Sequence, residues 1–177
     1  ITTLENAHTS KDRDYFLALA YNDAGQYGKA GELINKLYRD MPDELPVMLA
    51  YVDIKIKSGD VEDALAVLQK AKKDVRNKAD IHYYFGLYYE HMGKYQESDK
   101  EYQNALRIEN DHAPTLFRMA YNADLNGSEE TAMELYQRIR RPTRNVLINM
   151  GILYEDKGNF AMARACYHKV LNVIPND

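Results

Sequence analysis

Tryptophan is absent from this chain of 177 residues, and cysteine occurs once. A single cysteine excludes an internal disulfide framework and a cysteine-built zinc site. No apolar run approaches the roughly 18 residues needed to cross a membrane. A basic excess is also missing: 23 Lys and Arg face 27 Asp and Glu, for a net charge of −4. Nucleic-acid binders usually carry the opposite balance, so nucleic acid is disfavoured as a partner. Neither an initiator Met nor a signal-peptide pattern opens the chain at Ile1, which reads as part of a longer protein with an expected cytoplasmic location. What is present is a 45% hydrophobic composition, enough for one ordinary domain with a substantial core, and fifteen tyrosines.

The tyrosines belong to a repeat. Gly25, Gly59, Gly93, Gly127 and Gly158 recur at intervals of 34, 34, 34 and 31 residues. Each lies between two apolar patterns of helical period. Seven residues before four of the glycines stands a small residue, Ala18, Gly86, Ala120 or Gly151. Ala30, Ala64, Ala132 and Ala163 follow their glycines by five. Small residues at those two places let two helices cross closely, and rings such as Tyr21, Tyr89 and Tyr154 fill the space beside them. A glycine past a helix end takes the left-handed conformation cheaply, and Asp60, Ser128 and Asn159 can cap the helix that follows.

This order closely resembles the tetratricopeptide repeat (TPR) family, whose closing proline is matched by Pro42 and Pro175. The resemblance implies an all-α fold, a right-handed superhelical α-solenoid of five helix-turn-helix repeats. The repeats read as 11–44, 45–78, 79–112, 113–143 and 144–177, after a lead segment 1–10. Departures are Val52 at a small position, Arg76 for proline, Ser98 for alanine and Glu129 for the aromatic. Pro142 shortens repeat four by three residues, which predicts that its second helix stops near Arg140. The segments NADLNGSEETAMELYQ and NMGILYEDKGNFAMARACYHKVL are also similar to bacterial TPR proteins that carry a domain like the RNA polymerase α C-terminal domain. That similarity implies a role as an accessory module in transcription or nucleic-acid machinery.

Nothing in the pattern points to catalysis. His8, His82, His91, His112 and His168 show no metal-ligand spacing, and no phosphate-cradling loop or nucleophile elbow occurs. No enzyme activity, cofactor or metal is expected. Cys166 occupies a position that is mostly apolar in the other repeats and reads as packing. Arg138, Arg140, Arg141 and Arg144 form one basic cluster, read first as a solvated helix end. An anion contact or a phosphorylation site at Thr143 are the functional alternatives.

In TPR proteins the first helices line a concave groove, and positions ten, six and three before each glycine share one helix face. The first row is Tyr15, Leu49, Tyr83, Phe117 and Ile148, and the second is Leu19, Asp53, Leu87, Tyr121 and Ile152. The third is Asn22, Ile56, Glu90, Asp124 and Glu155. The expected site takes the first two rows together with Glu90, Asp124 and Glu155 from the third. It would hold a basic or amphipathic peptide or helix, with apolar anchors and acids that orient Lys or Arg. Arg118 alone resembles the basic clamp that holds chaperone tails in some TPR proteins, so acidic tails are disfavoured. Ala161, Met162, Ala165, Val170, Val173 and Ile174 predict an uncovered apolar end, and hence a homodimer through repeat five.

Overall fold

The computed structural model describes residues 11–74 and 78–173. The lead segment, Arg76, Ile174, Pro175 and the Val173 side chain lie outside the described residues. The apolar periods become ten helices among these residues: α1 (Lys11–Asp23), α2 (Tyr27–Asp40), α3 (Leu45–Ser58), α4 (Val61–Asp74) and α5 (Ala79–His91), then α6 (Tyr95–Ile108), α7 (Ala113–Leu125), α8 (Glu129–Gln137), α9 (Arg144–Asp156) and α10 (Phe160–Val173). No strand occurs among them. Two compact units divide the chain, Ile1–Ile108 holding α1–α6 and Glu109–Asp177 holding α7–α10.

One closure ends the first helix of every pair. The five repeat glycines have φ between 69° and 91°. Behind each, the next N–H reaches back five residues, as from Asp60 to the Lys55 carbonyl at 2.9 Å or from Lys94 to Tyr89 at 2.8 Å. This is the Schellman arrangement, in which a Cβ is disfavoured. A Cβ on Gly93 would meet nothing within 4 Å. Gly93→Val is therefore a clean test of backbone strain, expected to cost about 1–2 kcal/mol in urea denaturation. An unchanged midpoint would show that the left-handed conformation is dispensable.

Capping of the second helices differs from the sequence expectation. Asn159 Oδ1 does accept from the Met162 N–H at 3.3 Å. Ser128, in contrast, makes no side-chain cap bond. Asp60 turns back to Lys55 Nζ at 3.1 Å, drawn by a largely buried ammonium next door.

The fourth pair is also shorter than expected. Helix α8 ends at Gln137, three residues before Arg140, and has 9 residues where α10 has 14. Pro142 alone does not set that end. The Arg138 and Ile139 N–H groups bond three residues back, to Leu135 and Tyr136, which tightens the chain and buries Ile139. The four arginines of the basic cluster are exposed, as expected of a solvated helix end, and two of them also make contacts. Arg138 donates to the Asn110 carbonyl at 2.8 Å and Arg140 faces Asp111 at 3.2 Å, tying this turn to the entry of α7. Thr143 caps α9, its Oγ1 accepting from Val146 N–H at 3.5 Å.

Within each pair, residue size is matched across the crossing. A Cβ on Gly86 would overlap the Tyr102 ring, 2.9 Å from Cζ, and one on Gly151 would overlap Tyr167, 2.8 Å from Cζ. Tyrosine stands nine residues after the glycine in the third, fourth and fifth repeats, opposite Gly86, Ala120 and Gly151. The first two repeats have Ile34 and Leu68 there, opposite Ala18 and Val52. Gly86 and Gly151 are buried, Tyr167 is half-buried, and the others are wholly buried. Val52 is accommodated because its partner is a leucine and not a ring.

Candidate binding surfaces

In the first unit the expected groove residues come from α1, α3 and α5. Tyr15, Leu19, Leu49 and Leu87 are half-buried against the core. Tyr15 also lines a cleft of about 290 Å³ with Phe16, Met41, Pro46 and Val47. Tyr83 packs edge-on against Tyr84, with centroids 5.1 Å apart. Burial pushes the Tyr84 phenol well above its ordinary range, with the Asp53 carboxylate adding to the rise.

Asp53 is already engaged. It accepts from Asn22 Nδ2 at 2.6 Å and from Lys57 Nζ at 2.7 Å, so its charge is met within the unit. Glu90 accepts from the Tyr102 hydroxyl at 2.7 Å. The third row departs from the expected wall here. Asn22 and Ile56 are buried, in a unit where α3 packs against both α1 and α5.

The second unit is more open. Phe117 and Tyr121 stack at 6.3 Å and 15°, one helical turn apart on α7. Arg118 lies over the Tyr121 ring at 5.7 Å. Tyr121 is 36% exposed and Ile152, its counterpart on α9, is 45% exposed, whereas Ile148 is half-buried. Behind them Tyr136 is wholly buried, 6.0 Å from Phe117, and its hydroxyl accepts from Asn149 Nδ2 at 2.8 Å. Asp124 is half-buried and Glu155 exposed, the latter accepting from the Tyr167 hydroxyl at 2.9 Å.

Two features lie beyond the residues of the expected site. Leu125, one turn beyond Tyr121, is 69% exposed and extends the apolar stripe. Tyr102 and Tyr167 hold the carboxylates of Glu90 and Glu155, a role readable only as tyrosine recurring nine residues after the glycine. At the C-terminal end, Ala161, Met162 and Ala165 are exposed as expected. Val170 is not: it is buried within its own unit. Cys166 is buried, and burial raises its thiol above the usual range. Among the described residues, no three His, Cys, Asp or Glu side chains are grouped to hold a metal, and no helix is long and apolar enough to cross a membrane.

Two family models described as tetratricopeptide repeat match the chain, one over residues 21–84 and the other over 79–112 and 145–177. The chain belongs to the tetratricopeptide repeat family, with the helical repeat fold that family shares. A thermophilic TPR protein of Thermus thermophilus has a similar structure, at a TM-score of 0.76 and 17% identity, over 95% of this chain and 93% of that one. A pilF structure from Pseudomonas aeruginosa aligns at 0.65 and 16% identity, over 94% and 78% of the two chains. At these identities the likeness concerns the fold. Among curated proteins, a photosystem I assembly protein, Ycf3, of Prochlorococcus marinus strain MIT 9303 is 34% identical over 94 residues, covering 50% of this chain and 54% of its own. The Ycf3 of Synechococcus sp. strain CC9605 is 36% identical over 90 residues, covering 48% and 52%. The chain thus spans about half the length of these relatives.

Proposed function

We propose that this chain is a non-catalytic protein-interaction scaffold that holds a peptide or helix with apolar anchors and basic flanks. The observation that carries the reading is the apolar row left open beside acids in the second unit, where Tyr121 and Ile152 are exposed near Asp124 and Glu155. Burial of that row supplies affinity, and the carboxylates favour Lys or Arg over acidic side chains. In the first unit Tyr15, Leu19, Leu49, Tyr83 and Leu87 offer anchors, with Glu90 as the acid. Asp53, neutralised by Lys57, contributes shape more than charge. Relatives named for photosystem I assembly support a corresponding role here, holding another polypeptide while a complex is assembled.

Replacing Phe117 and Tyr121 together by Ala is expected to weaken binding of a basic amphipathic peptide by about thirtyfold, the scale of an aromatic hot spot. Circular dichroism should show the helices intact. Tighter binding of an acidic peptide than of its basic counterpart would reject this reading.

A second reading is self-association through α10, on which Met162 and Leu171 are 45% and 68% exposed. Light scattering decides between dimer and monomer, and Leu171→Glu should abolish any dimer formed through this helix.

A further inference from the structure

Resting on that reading, we propose that the partner of the second unit is a basic amphipathic α-helix, seated along the Phe117–Tyr121–Leu125 stripe and Ile152. Those three α7 residues are four apart, so they form one ridge with steps of about 6 Å along the helix. Exposure rises along it, from half-buried Phe117 through Tyr121 at 36% to Leu125 at 69%. Ile148 and Ile152 repeat the four-residue step on α9. Two apolar ridges on neighbouring repeats match the apolar face of a third helix.

The polar groups argue for a helix over an extended strand. An extended backbone brings unpaired N–H and C=O groups, each of which needs a partner when water leaves. This face offers few. Asn149 is committed to Tyr136, and Asn122 already has an interaction of its own. A helix satisfies its own backbone and asks only for apolar contact, which the ridges supply.

Charge sets the sign of the partner. Asp124, Glu155 and Asp156 border the ridges. Glu155 is held by Tyr167, whose ring lies over Gly151, so this carboxylate is placed before a ligand arrives. The neighbouring cations are already placed: Lys157 pairs with Glu130 at 2.6 Å, and Arg118 covers the Tyr121 ring. A helix with Lys or Arg beside its apolar stripe complements this border.

The test uses the whole chain and three labelled model peptides: a lysine-rich amphipathic helix, the same sequence with glutamate for lysine, and the lysine peptide broken by a central proline. Fluorescence anisotropy should show the lysine helix bound, with the glutamate and proline peptides weaker by at least about tenfold. Leu125→Ser and Ile152→Ser, both at exposed sites, should each weaken the lysine helix by about tenfold. Tyr167→Phe keeps the ring over Gly151 and should narrow the preference for lysine over glutamate. Equal binding of the proline-broken peptide overturns the helical partner while leaving the scaffold reading in place. Loss of binding on Tyr15→Ala and Tyr83→Ala, with Leu125→Ser silent, overturns the location. A dimer abolished by Leu125→Ser makes a second copy the occupant and also overturns the proposal. No binding of either basic peptide rejects the scaffold reading itself.

Discussion

Gly86→Val is expected to destabilise the chain by about 3 kcal/mol, at the upper end of the usual cost of overpacking. The sign is the informative part. A glycine inside a helix normally costs stability relative to a residue with a side chain, because its backbone is freer when unfolded. Gly86 reverses this, because any Cβ there would enter the Tyr102 ring. That ring has no room to retreat, being wholly buried with its hydroxyl bound to Glu90 at 2.7 Å. The second repeat already contains a compatible pair, Val52 with Leu68, both wholly buried. Tyr102→Leu alone should cost about 2 kcal/mol through lost burial and the cavity left behind. The double substitution recreates the second repeat's pair and should cost less than the sum by more than about 1 kcal/mol. Urea denaturation of the four proteins measures this coupling. Strict additivity would show that the two positions do not face each other.

Tyr136→Ala should cost about 3–5 kcal/mol, the range for removing a buried aromatic side chain. Its ring is wholly buried beside Phe117 on α7, and its hydroxyl accepts from Asn149 on α9. One side chain therefore joins three helices of the second unit. Tyr136→Phe isolates the hydrogen bond and should cost about 1 kcal/mol. Asn149→Ala should add little once the hydroxyl is gone, since the two groups satisfy each other. Loss of the whole ring also withdraws the support behind Phe117, so Tyr136→Ala should weaken peptide binding where Tyr136→Phe does not. A cost below about 1 kcal/mol for Tyr136→Ala would remove this tyrosine from the core of the unit.

The helix pairs were legible because their signals are local. A left-handed turn has to be glycine or strained, and a close crossing has to be small, so periodicity in those residues marks each pair whatever surrounds it. The shortened fourth pair was only half legible. Pro142 announces a helix end, but α8 stops at Gln137 because Ile139 finds a buried place that only the folded chain provides. Ser128 failed as a cap for a related reason: its candidacy rested on residue type, while side-chain geometry decides the bond.

The amino-acid sequence by itself determined the repeat, its glycine turns, the helical class and the mixture of apolar and acidic residues at the groove positions. Tertiary structure decided which of those residues remain available. Asn22 and Ile56 share a repeat position with Glu155, yet the first two are buried, in a unit where α3 packs against both α1 and α5, while Glu155 stays exposed. Asp53 and Glu155 are both acids at groove positions, but a lysine one turn away neutralises only the first. The physical reason is one of range. Turn geometry and helical period are set within a few neighbouring residues, whereas exposure and charge pairing depend on what distant segments bring alongside.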